Sequence, residues 1–218
     1  MAVALFDLDG TLTDPKEGIT KSVQYGFARI GITVDDLDAL VAYIGPPLQD
    51  SFVTLAGLSA ADAAEALIGY REYFADRGMF ENVPYDGIAE LLDGLRADGW
   101  RLAVVTSKPT VFAEAILVHF GLRDAFEVVA GAELDGSRRH KHDVIAHALA
   151  GLGCRPDECV MIGDREHDVL GARRAGVPSS IGVLWGYGSR DELEAAGAGE
   201  IVENIDELAL SLRRSRSV

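Results

Sequence analysis

The chain has 218 residues, long enough for one sizeable hydrophobic core or two smaller ones. Its hydrophobic fraction of 48% and charged fraction of 25% are ordinary for a globular protein. Twenty basic side chains against 35 acidic ones leave a formal charge of −15, which argues against nucleic acid or an anionic membrane as a partner.

No apolar run approaches the length of a membrane-spanning helix. No basic segment precedes the short apolar stretch at the N-terminus, so a secretory signal is not expected. Cys154 and Cys159 have four residues between them, which is not a redox Cys-x-x-Cys spacing, and they read as free thiols of a cytoplasmic protein.

Residues Ala2 to Phe6 form an apolar run that predicts a buried strand. The next seventy residues change texture. Lys16–Ile30, Asp35–Tyr43, Leu48–Leu55 and Ala60–Asp76 carry helical periodicity with almost no strand signal, Ser59 is a plausible N-cap, and Gly45-Pro46-Pro47 breaks the segment. From about Tyr85 onward strands and helices alternate. Strands are predicted at Arg101–Thr106, Glu127–Ala130, Cys159–Ile162, Ser180–Leu184 and Glu200–Val202. Helices are predicted at Ile88–Ala97, Thr110–Phe120, His142–Leu152, Asp168–Ala175, Glu192–Ala196 and Ile205–Leu212. Gly99, Gly121, Gly153 and Gly176 each follow a predicted helix, where positive φ ends the last turn. Ser211 to Val218, with Arg213, Arg214 and Arg216, reads as a frayed end.

This pattern predicts an α/β fold, a Rossmann-like doubly wound parallel sheet with an inserted helical domain. The expected boundaries are residues 1–14 and 86–218 for the core and 15–85 for the insert, which would act as a lid over the crevice.

Four segments carry chemistry. Asp7-Leu8-Asp9-Gly10-Thr11 places two carboxylates where the first strand ends, and a carboxylate there projects into the crevice in which open α/β sheets bind ligands. Thr106-Ser107-Lys108-Pro109 follows another strand. It reads either as a helix start, with Ser107 as cap and Pro109 opening the helix, or as an anion cradle of N–H groups and the Thr106 hydroxyl. Lys141 lies in a local basic cluster and suits a phosphoryl group. Its neighbours His140, His142 and His147 make a poorer hard-cation site than the carboxylates do. Gly163-Asp164 ends a further strand, and Asp168 follows four residues later, as a cation ligand or as a helix N-terminal acid.

With these four segments in this order, the chain resembles the haloacid dehalogenase superfamily over essentially its whole length. Gly45-Pro46-Pro47-Leu48, Tyr70-Arg71-Glu72-Tyr73 and Trp185-Gly186-Tyr187-Gly188 further resemble its phosphoglycolate phosphatase-like or 5′-nucleotidase-like subgroup. The resemblance implies a C1-type cap in the insert and hydrolysis of a small phosphorylated metabolite with Mg²⁺. Asp7 would be the nucleophile, forming an aspartyl phosphate, and Asp9 the general acid and base. Thr106 and Lys141 would hold the phosphoryl group, and Asp7, Asp9 (through its carbonyl), Asp164 and Asp168 the metal. Thr11, expected to orient Asp9, is a candidate substrate-binding residue with Ser107, Lys108, Gly45 and Arg71. The alternatives are a 5′-nucleotidase, a β-phosphoglucomutase-type phosphomutase, and a receiver-like phosphoacceptor domain. A monomer and a homodimer both remain open.

Overall fold

The structure is a computed structural model and describes residues 2–215. Contacts divide it into two compact units, Met1–Thr13 with Pro84–Val218, and Asp14–Val83.

The first unit is built on a six-stranded sheet. Its strands are β1 (Val3–Phe6), β4 (Arg101–Pro109), β5 (Val128–Ala132), β6 (Cys159–Gly163), β7 (Ser179–Val183) and β8 (Glu200–Val202). They lie in the order β5-β4-β1-β6-β7-β8, and every pairing is parallel. Two-residue strands β2 (Thr13–Asp14) and β3 (Val83–Pro84) form a separate sheet. A parallel sheet covered on both faces needs near-continuous apolar strands, and β1 and β6 are buried at every position.

Helices α4 (Ile88–Ala97), α5 (Thr110–His119), α6 (Lys141–Leu152), α7 (Glu166–Arg174), α8 (Arg190–Ala196) and α9 (Ile205–Ser215) supply the crossovers and flanks. Alternation along the strands sends Val3, Leu5, Ala103, Val105 and Met161 into one cluster with Val144, Ile145 and Ala148 of α6 and Ala172 of α7. Phe6 takes the opposite face, where its ring meets Phe126 edge-on at 6.3 Å.

β1 lies between β4 and β6, and the chain builds the sheet outward from it in both directions. That reversal is the topological switch point where such sheets open a crevice at their carboxyl edge. Register matters here. Phe6 is level with Val104 on one side and Ile162 on the other, so Asp7 emerges beside the ends of both neighbours.

The second unit is helical: α1 (Lys16–Arg29), a 3-10 turn over Leu37–Tyr43, α2 (Leu48–Thr54) and α3 (Ala60–Tyr73), which runs into a π turn over Phe74–Gly78. Ser59 caps α3 as expected, accepting from the Asp62 N–H at 3.1 Å. Phe27, Tyr43 and Phe52 pack as a triangle of rings with centroids 5.4–5.7 Å apart. α1 and α3 approach closely, because a Cβ at Gly26 would overlap the Ala66 carbonyl.

Three local expectations are corrected. The helix expected over Asp35–Tyr43 is a 3-10 turn over Leu37–Tyr43, capped by Asp36, whose side chain accepts from the Asp38 N–H. Pro109 does not open a helix but ends β4 and precedes α5. Ser211–Ser215 is not frayed, since α9 continues to Ser215 with Leu212 buried. Arg216, Ser217 and Val218 of that expectation lie outside the described residues.

Two glycine substitutions should move stability in opposite directions. Gly94→Ala in α4 meets open space and should stabilise by about 0.5–1 kcal/mol through helix propensity. Gly26→Ala should destabilise by about 1–3 kcal/mol through overpacking, despite the same gain in propensity. Urea unfolding of the two variants beside wild type checks both signs.

Candidate active site

Two residues beyond the last residue of β1, the backbone turns sharply. Gly10, with φ +80°, allows the turn, and the N–H groups of Leu12 and Thr13 both return to the Leu8 carbonyl. The turn leaves Asp7 and Asp9 on one edge of the sheet. The Asp7 N–H is still in register, donating to the Ile162 carbonyl at 2.9 Å. Its Oδ1 accepts from the Leu8 N–H at 2.8 Å and lies 2.9 Å from Lys141 Nζ.

Lys141 opens α6 and reaches the strand ends with its whole stem buried. Its ammonium meets Asp7 Oδ1, Asp168 Oδ1 at 2.7 Å and the Val105 carbonyl at 3.2 Å. The Asp168 contact is an ion pair without an aligned hydrogen bond. Burial pulls the Lys141 pKa down, but Asp168 and Asp7 outweigh it, and the net shift is upward. Gly171 of α7 makes room for this stem, since a Cβ there would sit 2.6 Å from Lys141 Cγ.

Asp164 follows β6 and is fully buried. The Tyr187 N–H donates to its Oδ2 at 2.8 Å and the Thr11 hydroxyl to its Oδ1 at 3.4 Å. Burial, then Asp168 and Asp7, push its pKa well above the carboxylate range. Asp168 serves the start of α7 through Oδ2, which accepts from the Arg165 N–H at 3.1 Å. Burial raises its pKa to about 6 against the pull of Lys141. Helix-terminal acid and partner of Lys141 are therefore two roles of one side chain.

Asp9 is held by Lys108, with Nζ 2.7 Å from Oδ1 and both groups buried. Burial raises the Asp9 pKa, and Lys108 opposes the rise without cancelling it. Lys108 was expected to touch substrate, yet in the structure it pairs with Asp9. It stands on an irregular segment: the register with β5 shifts between Val105 and Pro109, so Thr106, Ser107 and Lys108 bulge out. Thr106 Oγ1 accepts the Lys108 N–H at 3.2 Å within this bulge. The cradle anticipated at a helix start is thus a strand-end bulge.

The structure brings Asp7, Asp9, Thr11, Thr106, Lys108, Lys141, Asp164 and Asp168 to one edge of the first unit. It corrects the expected partner of Thr11, whose hydroxyl serves Asp164 and not Asp9. Gly45, with φ +104°, and the part-buried Arg71 on α3 belong to the second unit. Sequence reasoning missed Val105 as a carbonyl acceptor, Gly171, and the bracing role of Trp185 to Gly188. A glycine inside α7 was the only trace of the second, and the third showed only as a motif of the subgroup resemblance, with no role attached.

One oxygen each from Asp7, Asp164 and Asp168 lies within 4.8 Å of the others, all three buried. Hard oxygen donors at that spacing fit a divalent cation such as Mg²⁺. His140 and His142 stack on each other and stand outside this set.

A parallel α/β sheet with buried carboxylates and lysines gathered at its switch point defines a protein of the Rossmann-like α/β class. Residues 4–182 match the family described as haloacid dehalogenase-like hydrolase. A 5′-nucleotidase of Pseudomonas aeruginosa is 52% identical over 88% of this chain and 86% of its own. The tyrosine-protein kinase PtkA of Mycobacterium tuberculosis is 43% identical over 96% of this chain and 72% of its own. The crystal structure of a predicted phosphatase from Clostridium acetobutylicum superposes with a TM-score of 0.95 at 47% identity, covering 98% of each chain. The chain belongs to the haloacid dehalogenase-like hydrolase family, and it is an enzyme of the phosphatase type found there.

The Asp168 shift has a signed consequence. Its folded-state pKa lies above the ordinary 3.8, so the folded protein holds the proton longer than the unfolded chain. The resulting stability is complete below that ordinary value and is lost as pH rises through about 6. Metal-free wild type should therefore lose Tm relative to Asp168→Asn between about pH 4 and pH 7. Thermal melts of both proteins in chelator check this, and a constant gap would contradict it.

Proposed function

We propose that this protein is a Mg²⁺-dependent phosphatase that hydrolyses a small phosphate monoester through an aspartyl phosphate on Asp7. The observation that carries the reading is the buried constellation of Asp7, Asp9, Lys141, Asp164 and Asp168 at the end of β1.

Asp7, Asp164 and Asp168 would hold the cation, with the Asp9 carbonyl as the further oxygen expected from the resemblance. When bound, Mg²⁺ neutralises phosphate charge and lets an anionic ester approach an anionic nucleophile. The protein's own groups do the rest. Asp7 attacks phosphorus, and the ester P–O bond breaks as the new one forms. Asp9, whose raised pKa favours the protonated form, gives its proton to the departing alkoxide. It then takes a proton from the water that attacks the aspartyl phosphate, and inorganic phosphate leaves with Asp7 restored. The Lys141 ammonium and the Thr106–Lys108 bulge supply positive charge and donors for the phosphoryl oxygens. Two carboxylates of one kind divide the work because their surroundings differ: Asp7 belongs to the three-carboxylate set that would hold the cation, whereas the Asp9 side chain lies outside that set and is paired with Lys108.

The helical unit is read as the family's C1-type cap. Leaving-group choice is assigned to it, with Gly45 and Arg71 as the residues to vary. Similarity to the 5′-nucleotidase puts nucleoside 5′-monophosphates first among candidate esters, ahead of phosphoglycolate. A cytoplasmic location suits the two cysteines, which are free thiols whose sulfurs lie 3.6 Å apart in a thiol–thiol hydrogen bond. Among the described residues no helix is long and apolar enough to cross a membrane.

Phosphate release from a panel of nucleoside monophosphates, phosphoglycolate and sugar phosphates tests the reading, with isomer formation watched for the sugars. Wild type with Mg²⁺ should release phosphate and chelator should stop it. Asp7→Asn should lose at least ~10³-fold in kcat. Full activity in Asp7→Asn, or isomer without free phosphate, would overturn it.

A further inference from the structure

The segment after β7, Trp185-Gly186-Tyr187-Gly188, donates two hydrogen bonds, one to the turn after β1 and one to the residue that follows β6. The Trp185 indole N–H donates to the Thr11 carbonyl at 3.1 Å. Thr11 in turn donates its hydroxyl to Asp164 Oδ1. The Tyr187 backbone N–H donates to Asp164 Oδ2 at 2.8 Å.

Steric limits close the same box. A Cβ at Gly186 would overlap the Gly10 carbonyl and Asp164 Cβ. One at Gly188 would overlap the Asp164 carbonyl, and one at Gly10 would overlap Asp164 Oδ2. Three glycines therefore stand where no larger residue fits, Gly10 and Gly186 against the side chain of Asp164 and Gly188 against its backbone, and Asp164 has no solvent exposure. Among the described residues Asp164 forms no ion pair, and the Arg165 charge acts on it only at longer range, whereas Asp7 and Asp168 each meet Lys141. Two neutral donors fix its orientation without neutralising it. A buried carboxylate held in this way is stable as an anion only with a cation opposite.

We infer that the Trp185–Gly188 segment is a clamp that aims the Asp164 carboxylate at the divalent cation, with Trp185, Gly186 and Gly188 as positioning residues. The inference rests on the proposed cation site. Donors that orient a metal-binding carboxylate typically change affinity by 10–100-fold when removed. Trp185 acts one step back: its indole fixes the Thr11 backbone, and Thr11 sets one oxygen of Asp164. An indole that only filled space would contribute to folding and leave cation affinity alone.

The test is Mn²⁺ binding, followed by electron paramagnetic resonance of the free ion, in wild type, Trp185→Phe and Asp164→Asn. Phenylalanine keeps the apolar body and removes the N–H. Trp185→Phe should bind Mn²⁺ about 10-fold more weakly, and excess Mg²⁺ should restore kcat with the KM for phosphate ester unchanged. Gly186→Ala, which pushes on Asp164 from the same side, should weaken Mn²⁺ binding as well. It serves as the deciding variant should Trp185→Phe fail to fold. Wild-type affinity in the folded Trp185→Phe or Gly186→Ala protein, with binding lost in Asp164→Asn, overturns the clamp alone. Wild-type affinity in Asp164→Asn overturns the cation site and the clamp with it.

Discussion

Six ionisable groups share one dry corner of this protein. Asp7, Asp9, Asp164 and Asp168 are each at most 7% exposed, and so are Lys108 and Lys141. Four carboxylates and two ammoniums leave two negative charges with little access to water. Such a set is costly unless protons stay on some acids or a dication joins them. The raised pKa values of Asp9, Asp164 and Asp168 are the first answer, and a divalent cation is the second. On our reading the second is the working state. With Asp9 protonated the surplus is one negative charge, which one Mg²⁺ would more than offset, and that balance would let a phosphate ester approach a chain of charge −15.

The fold exists around this corner. Parallel register sets Asp7 beside the ends of β4 and β6, and β6 delivers Asp164 one residue past its end. α6 and α7 bring Lys141 and Asp168 to the same edge, one at the first residue of its helix and the other in its first turn. The apolar cluster shared by β1, β4, β6, α6 and α7 holds these elements rigidly. Glycines make the remaining space: Gly163 lies where a Cβ would overlap Asp168, and Gly171 where one would press on the Lys141 stem.

Much of this was legible in the sequence because the periodicities were clean. The β8 and α4 boundaries came out to the residue, and most other core elements to within two. The 3-10 turn before Tyr43 was not legible, since one apolar face over nine residues does not distinguish a tight turn from an α-helix. Site residues were legible as a set because strand ends deliver them. Their pairwise partners were not. The spacing does not reveal that Lys108, on the bulge after Val105, pairs with Asp9. Thr11 reads as a partner of its near neighbour, yet the turn at Gly10 sends it to Asp164, 153 residues away. Such pairings depend on side-chain direction after the backbone is fixed, and no spacing rule encodes that.

The account depends most on what neutralises the carboxylates of Asp7, Asp164 and Asp168. Anomalous scattering from a crystal of the protein grown with Mn²⁺ would show it directly. The account predicts one strong peak within coordination distance of all three side chains. No peak there, or a peak bound by other residues, would contradict it.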